Sequence, residues 1–308
     1  MGGGPGKERD MSDPMTSATR KRPVLAGFDG SATARTAVMW AAAEAARRGA
    51  ELLVARAYER PIDITDLSWT PVGLRDRWPR STHCDNAVRE LAADCAAAHP
   101  DLAVSTTIRA GHPSDVLGEL AEETDAALVV LGAAEHGPVA RFVLGSVAAD
   151  MVHRVARPLV AVRHAPTTAA DAPVVLGLAG TAADEPAVGF AFDVAARLRA
   201  PLHAIHSSHQ RDSVVHAERL LAPWRERYAG VPVRTDVLAD KPAQALVDRS
   251  AGARLLVVGC HHHGALHRAL LGSVSHTSLH HAGCPVAVVP SARHRAPRHA
   301  TTAAVASG

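Results

Sequence analysis

The chain alternates short apolar runs with helix-forming stretches. An apolar run such as VLAGF at 24–28 is typical of a buried strand. The strand–helix–strand unit that opens the chain predicts parallel pairing with a right-handed crossover. The predicted strands and helices of the first half lie, in order, at residues 24–28, 33–48, 51–58, 81–98, 102–111 and 115–126.

One stretch occurs twice, at residues 128–163 and 255–290. Each copy contains an apolar run, a loop punctuated by glycines, a Gly-Ser pair, a helical stretch, and a second apolar run after a proline. An offset of 127 residues aligns these features, and an offset of 150 aligns the earlier strands of the two halves. Two copies with the same internal spacing are a strong signal of a repeated structural unit.

The repeat predicts an α/β fold of two tandem doubly wound domains, each a five-stranded, mostly parallel sheet flanked by helices. The last strands, at 158–163 and 285–290, are expected at sheet edges, where they would pair antiparallel within the chain or between two chains. The predicted boundaries are a disordered tail at 1–21, domain 1 at 22–164, a linker at 165–172, domain 2 at 173–291 and a disordered tail at 292–308.

Composition excludes several classes of protein. The formal net charge of +2 argues against nucleic-acid binding driven by bulk charge. No apolar run approaches the ~18 residues that span a bilayer, and the N-terminal residues contain no apolar region of a secretory signal. The four cysteines form no CxxC pair, which favours a reduced, cytoplasmic protein.

The Gly-Ser pair of each repeat is a candidate anion site. A loop of small residues that opens into a helix leaves backbone N–H groups free, and the helix dipole adds partial positive charge, so phosphate suits the place. The alternative is a tight turn in which Ser146 is an ordinary N-cap. The residues concerned are Gly145, Ser146 and Val147 in the first copy and Gly272, Ser273 and Val274 in the second.

Asp29 ends the first strand, where open α/β sheets form their ligand crevice. An ionised carboxylate only accepts hydrogen bonds, so it suits an amino group or ribose hydroxyls. The alternative is that Asp29 forms the Asp-Gly turn with Gly30 and nothing more. Arg141 and Arg268 occupy equivalent loop positions, from which either could reach a terminal phosphate.

These residues resemble the universal stress protein family in its tandem two-domain form, over about 22–164 and 173–290. Nucleotide-binding members of that family carry G-x2-G-x9-G-[ST], commonly bind ATP, and commonly dimerise through the last strand. The resemblance gives Asp29 a nucleoside contact and Ala57 a backbone contact to adenine. It implies a site at Asp29, Gly30, Ala57, Gly132, Gly137, Arg141, Gly145, Ser146 and Val147, and a second at Gly259, Gly264, Arg268, Gly272, Ser273 and Val274.

Both copies depart from the family pattern. The second motif glycine is Glu135 in the first copy and His262 in the second, and Ala179 stands where the second copy would need its aspartate. The first copy also carries an insertion at 59–80, with two tryptophans, which is either a lid or an idle surface loop. We therefore expect one tight nucleotide site, in domain 1, and a weak or empty one in domain 2.

Neither a metal site nor a catalytic residue is expected. Zinc needs about four converging ligands, and the three consecutive histidines at 261–263 cannot easily face one ion. The chain has no P-loop, no lysine between Lys21 and Lys241, and no G-x-S-x-G motif. It is therefore equipped to hold ATP, with Mg²⁺ if present, more than to cleave it.

The sequence thus favours a cytoplasmic stress-response protein that binds ATP as a regulatory ligand. One alternative is an interaction module with decayed nucleotide sites and an unknown protein partner. The other is a slow ATPase.

Overall fold

The computed structural model describes residues 21–58, 80–133, 145–154, 156–163, 171–207, 213–239, 241–260 and 272–291, with 165, 167 and 169 between the halves; side chains are described except at 80–85, 153 and 213. The predicted insertion at 59–80 lies outside the described residues except for residue 80. The predicted disordered tails also lie outside them, except for residue 21.

The alternation of strands and helices is as predicted. The first half forms β1 (Val24–Gly27), α1 (Ala32–Arg48), β2 (Leu52–Tyr58), α2 (Arg80–Ala98), β3 (Val104–Ala110), α3 (Pro113–Glu123), β4 (Leu128–Gly132), α4 (Ser146–Arg154) and β5 (Leu159–Val162). The second half forms β6 (Val174–Leu178), a 3₁₀ turn (Ala182–Asp184), α5 (Glu185–Leu198), β7 (Leu202–Ser207), α6 (Ser213–Arg227), β8 (Val233–Leu238), α7 (Pro242–Ser250), β9 (Leu255–Cys260), α8 (Ser273–His281) and β10 (Val286–Pro290).

Element bounds differ from the predicted ones by a few residues, for local reasons. Helix α3 begins at Pro113 rather than at 115, because proline suits the first helical turn, where its missing N–H costs nothing. The same helix ends at Glu123 rather than at 126, since Asp125 adopts a φ of 49°, which a right-handed helix cannot continue.

The ten strands form a single sheet in the order β3-β2-β1-β4-β5-β10-β9-β6-β7-β8. The five strands of each half are parallel. The halves meet where β5 and β10 pair antiparallel, with Val160 opposite Ala287. Pairing of the last strands within the chain is therefore confirmed. The outer strands of the sheet are β3 and β8.

Helices cover both faces of the sheet, as parallel sheets require. Helices α1, α2, α5 and α6 pack on one face and α3, α4, α7 and α8 on the other, and each buried cluster extends through both halves. The core consists mainly of Ala, Val and Leu, in agreement with an aromatic content of 3%. In the part of the chain that the structure describes, none of the helices is both long and apolar enough to cross a membrane.

An ion-pair cluster around Glu44 and a single arginine, Arg163, also join the halves. Glu44 of α1 is 1% exposed and binds Arg48 Nε at 2.8 Å and, across the junction, Arg197 Nη2 of α5 at 2.9 Å. Arg163, after β5, donates hydrogen bonds to the carbonyl oxygens of Leu279 at 2.9 Å and His280 at 3.1 Å. A cation at these carbonyls complements the negative end of the α8 dipole.

Candidate functional site

A cavity of about 410 Å³ opens at the carboxyl end of the first-half strands. Strand β1 lies between β2 and β4 there, and the chain order reverses at this point, which is where open α/β sheets bind ligands. The volume falls in the range of small-molecule sites, roughly 300–1,000 Å³. The described lining residues are Gly27, Phe28, Asp29, Ser31, Thr33, Ala34, Ala55, Ala57, Pro113, Leu117, Leu131, Gly132, Gly145, Ser146, Val147 and Ala148.

The structure brings most of the predicted first-half residues to this cavity. Gly30 lies in the adjoining turn with a φ of 95° and is not among the lining residues. Gly137 and Arg141 lie outside the described residues, as does Glu135. The predicted residues that line the cavity are Asp29, Ala57, Gly132, Gly145, Ser146 and Val147.

The start of α4 presents backbone N–H groups to the cavity. The carbonyl oxygen of Gly145 accepts the first intrahelical hydrogen bond, from Ala149 N–H at 3.0 Å, so Gly145 occupies the N-cap position and Ser146 is the first helical residue. The alternative that Ser146 is the N-cap is therefore wrong. Among the described residues, the N–H groups of Ser146, Val147 and Ala148 have no hydrogen-bond partner, as is usual in the first turn of a helix.

Asp29 both forms the turn and lines the cavity. Its Oδ1 accepts a hydrogen bond from Ser31 N–H at 2.8 Å, and Ser31 in turn caps α1 by accepting from Ala34 N–H at 3.1 Å. The alternative is thus correct that Asp29 forms the turn, but Asp29 also lines the cavity. Among the described residues, the second carboxylate oxygen of Asp29 has no partner, and the residue is exposed. That oxygen is free to accept a hydrogen bond from a ligand.

Several cavity residues were not predicted from the sequence. Phe28, Leu117 and Leu131 provide apolar surface, and the Arg56 guanidinium lies over the Phe28 ring at 5.8 Å. Phe28 directly follows β1, and Leu131 lies at the carboxyl end of β4. Their position at strand ends could have indicated from the sequence that they line a ligand crevice. Apolar walls with a few polar groups suit a ligand that has a flat base and a charged end.

Helices α3 and α4 are fixed to each other beside the cavity. Asp150 of α4 accepts a hydrogen bond from the buried Ser114 and pairs with Arg154 Nε at 3.0 Å. The Ser114 bond and then the Arg154 pair lower the pKa of Asp150, although burial opposes this. Arg154 also pairs with Asp115 of α3. These contacts tie the middle and the C-terminal end of α4 to α3.

Gly132 allows the carboxyl end of β4 to approach the start of α1. A Cβ atom built at Gly132 would lie 2.8 Å from the backbone nitrogen of Ala34 and 2.9 Å from the carbonyl carbon of Thr33. Both neighbours are backbone atoms, which cannot move aside as a flexible side chain can. Glycine is therefore required at 132 by packing, whatever the cavity binds.

Gly132→Ala is expected to lower the free energy of unfolding by roughly 1–3 kcal/mol, because α1 must shift away from β4. Thermal unfolding followed by circular dichroism measures the change. Gly118→Ala is the control, since no atom lies within 4 Å of a Cβ built in the middle of α3 and alanine favours helices over glycine. Equal melting temperatures for Gly132→Ala and the wild type would contradict the packing argument.

The second half repeats the layout at the start of α8. The Gly272 carbonyl accepts from His276 N–H at 3.0 Å, which places Ser273 and Val274 in the first helical turn. Gly259 lies inside β9, and its carbonyl accepts from Ser275 Oγ at 3.0 Å. The first half has Ala148 in place of this serine. Gly264, Arg268 and His262 lie outside the described residues.

Two α/β units with matching helix starts, joined into one sheet, define a tandem α/β protein with a ligand-sized crevice in its first half. The model of the universal stress protein family matches residues 21–163 and 172–290. The chain therefore belongs to the universal stress protein family.

Individual relatives agree with this assignment. A universal stress protein of Mycobacterium tuberculosis strain H37Rv is 33% identical over 298 residues, covering 89% of this chain and 99% of the relative. One from Mycolicibacterium smegmatis is 31% identical over 299 residues, with the same coverage of both chains. The crystal structure of a universal stress protein from Archaeoglobus fulgidus DSM 4304 has a TM-score of 0.71 and 17% identity, over 87% of this chain and 98% of that one. That likeness shows the shared fold.

Proposed function

We propose that the chain is a cytoplasmic stress-response protein that binds ATP as a regulatory ligand, mainly in domain 1 (22–164). The observation that carries the proposal is that the residues at the start of α4, with their backbone N–H groups, and Asp29 line the same cavity. The resemblance to nucleotide-binding members of the family favours ATP as the ligand. In this assignment the phosphates lie at Ser146 and Val147, the ribose hydroxyls at Asp29, and adenine at the backbone of Ala57.

The test is to denature the purified chain and identify any released nucleotide by chromatography, followed by titration of the nucleotide-free protein with ATP and Mg²⁺. Ser146→Ala is expected to weaken binding, because a hydroxyl hydrogen bond to phosphate is lost. Ser273→Ala, the matched change in domain 2 (173–291), is expected to leave the tight site unchanged. The absence of both released nucleotide and titratable binding would sink the proposal.

Hydrolysis is expected to be negligible. Among the described residues that line the cavity there is no lysine, and the carboxylate of Asp29 is held by Ser31 N–H. Among these residues there is therefore no cationic side chain to neutralise the charge that develops on phosphate. Phosphate release measured with excess ATP should stay far below the typical enzyme rate of roughly 1 s⁻¹. Turnover at or above that rate, abolished by Ser146→Ala, would identify the chain as an ATPase.

For the second half, one observation favours the alternative function of an interaction module. Ala179 provides no carboxylate where the first half has Asp29. We propose that domain 2 contributes mainly to assembly, by pairing β10 with β5, and to contacts with a protein partner. Because β5 and β10 cover each other's edges, this pairing takes the place of a homodimer formed through the last strands.

A further inference from the structure

The turn after the first strand is built differently in the two halves. An offset of 150 residues pairs Asp29 with Ala179, so a carboxylate is missing from the second half. The same offset pairs Ala34 with Asp184, so a carboxylate is gained five residues later. Helix α1 follows its turn directly, whereas a 3₁₀ turn over Ala182–Asp184 precedes α5. The second half thus carries its carboxylate inside the first helical turn.

The Asp184 carboxylate points into the turn and is buried. Its Oδ2 accepts hydrogen bonds from Gly180 N–H at 2.8 Å and Thr181 N–H at 3.0 Å, and the residue is 1% exposed. Asp29, in contrast, is exposed and accepts from Ser31 N–H. The backbone donors of the second turn are therefore already bound to an internal anion.

His206 supports this arrangement from the neighbouring strand. It is buried, and its Nδ1 donates to the Leu178 carbonyl oxygen at 2.9 Å. A Cβ built at Gly180 would lie 2.8 Å from His206 Cε1, and Gly180 has a φ of 81°. The imidazole thus packs directly against the turn that presents its N–H groups to Asp184. The first half has Arg56 at this position.

Position 184 corresponds to a wall of the ligand cavity. In the first half Ala34 lines the cavity and is in direct contact with Gly132, at the end of β4. The residue equivalent to Gly132 in the second half is Gly259 of β9. A carboxylate at 184 therefore places a negative charge at the position equivalent to a wall of the cavity that Gly145 and Ser146 also line. Like charges repel strongly at a site that is partly shielded from water.

We propose that Asp184 determines ligand specificity in the second half by excluding anionic nucleotides, so that one chain binds one nucleotide. This inference rests on the proposed function, because it concerns the same class of ligand. The effect of Asp184 differs from the effect of having Ala179 in place of an aspartate. A missing acceptor only weakens binding, whereas a buried carboxylate repels a phosphate.

The test is calorimetric titration of the full chain with ATP and Mg²⁺. The double variant Ala179→Asp/Asp184→Ala restores the first-half arrangement, and it is expected to bind two equivalents where the wild type binds one. Asp184→Asn keeps an oxygen acceptor for the turn and removes the charge, so it is expected to bind a second equivalent more weakly. Adding Ser273→Ala to the double variant should weaken the gained equivalent at least tenfold and leave the first unchanged.

Two equivalents bound by the wild type would overturn the inference and leave the proposed function intact. One equivalent in the wild type and in both variants, with unchanged thermal unfolding, would also overturn it. If the wild type binds none, the proposed function fails. The inference about Asp184 then stands if Asp184→Asn gains an equivalent that Ser273→Ala removes, and it fails if there is no gain.

Discussion

Replacing Glu44 by glutamine is expected to lower the free energy of unfolding by about 3–5 kcal/mol, the cost of removing one partner from a buried ion pair. Glu44 is 1% exposed and binds Arg48 on its own helix and Arg197 across the junction. Burial lowers the pKa of Arg48, and Glu44 is the main group that opposes this shift. Without the carboxylate, the mostly buried guanidinium groups of Arg48 and Arg197 keep, among the described residues, one acidic partner, Asp193, which pairs with Arg197.

Urea titration followed by circular dichroism measures the loss as a lower midpoint at an unchanged slope. Glu218→Gln is the matched control, because Glu218 pairs with Arg225 at 3.1 Å on the surface, with 43% of its side chain exposed. Such exposed pairs contribute about 0–1 kcal/mol. Equal losses for the two variants would show that burial of Glu44 does not matter.

A further variant separates the cost of stranded charge from the loss of packing. Changing Glu44 to leucine together with Arg48→Met and Arg197→Met removes the buried charges as a group. Replacement of buried ion pairs by apolar residues is often neutral or stabilising, so this variant should recover most of the lost stability. If it is as unstable as Glu44→Gln, the defect lies in packing at the junction.

Asp29→Ala is expected to weaken ATP binding at the tight site by roughly 10- to 100-fold, because a hydrogen bond to a charged group is worth about 1.5–3 kcal/mol. The variant also removes the acceptor for Ser31 N–H, so the turn itself changes. Isothermal titration gives the affinity, and thermal unfolding gives the cost to the turn.

Asp29→Asn distinguishes the two roles of this residue. The asparagine oxygen can still accept from Ser31 N–H, but the amide nitrogen now occupies the place of the second oxygen and cannot accept from a ribose hydroxyl. We expect near-native stability with about tenfold weaker binding. Native affinity in Asp29→Asn would assign the residue to the turn alone. Native affinity in Asp29→Ala, with binding abolished by Ser273→Ala, would place the ligand in the second half.

The repeat and its strand–helix alternation were sufficient to predict each half and the antiparallel pairing of the last strands, but not that β5 and β10 would pair within one chain. They could not predict the contact between Glu44 and Arg197, which are 153 residues apart, since a sequence does not show which faces of α1 and α5 meet. The only indication in the sequence that Glu44 has a buried partner was that it is the single acidic residue of an alanine-rich helix. The start of α4 was predicted less well, because one residue decides whether Ser146 caps the helix or begins it, and that depends on backbone hydrogen bonds.

The carboxylate of Asp184 was missed for a different reason. Ala179 stands opposite Asp29 when the two halves are aligned, which predicts that the second half has simply lost the carboxylate. The structure shows that backbone N–H groups of the turn donate to a carboxylate in both halves. The carboxylate comes from a residue before those N–H groups in the first half (Asp29) and from a residue after them in the second (Asp184). Alignment of single positions does not detect such an exchange, whereas a count of hydrogen-bond acceptors near each turn does.

The antiparallel junction of β5 and β10 has a consequence for how the two halves can diverge. In a symmetric homodimer one gene encodes both subunits, so every substitution appears on both sides of the dyad. Here the two sides of a pseudo-dyad are encoded separately on one chain. One side can keep an exposed Asp29 while the other buries Asp184 and His206. The chain is in effect a covalent heterodimer, whose unlike halves are always present in a one-to-one ratio.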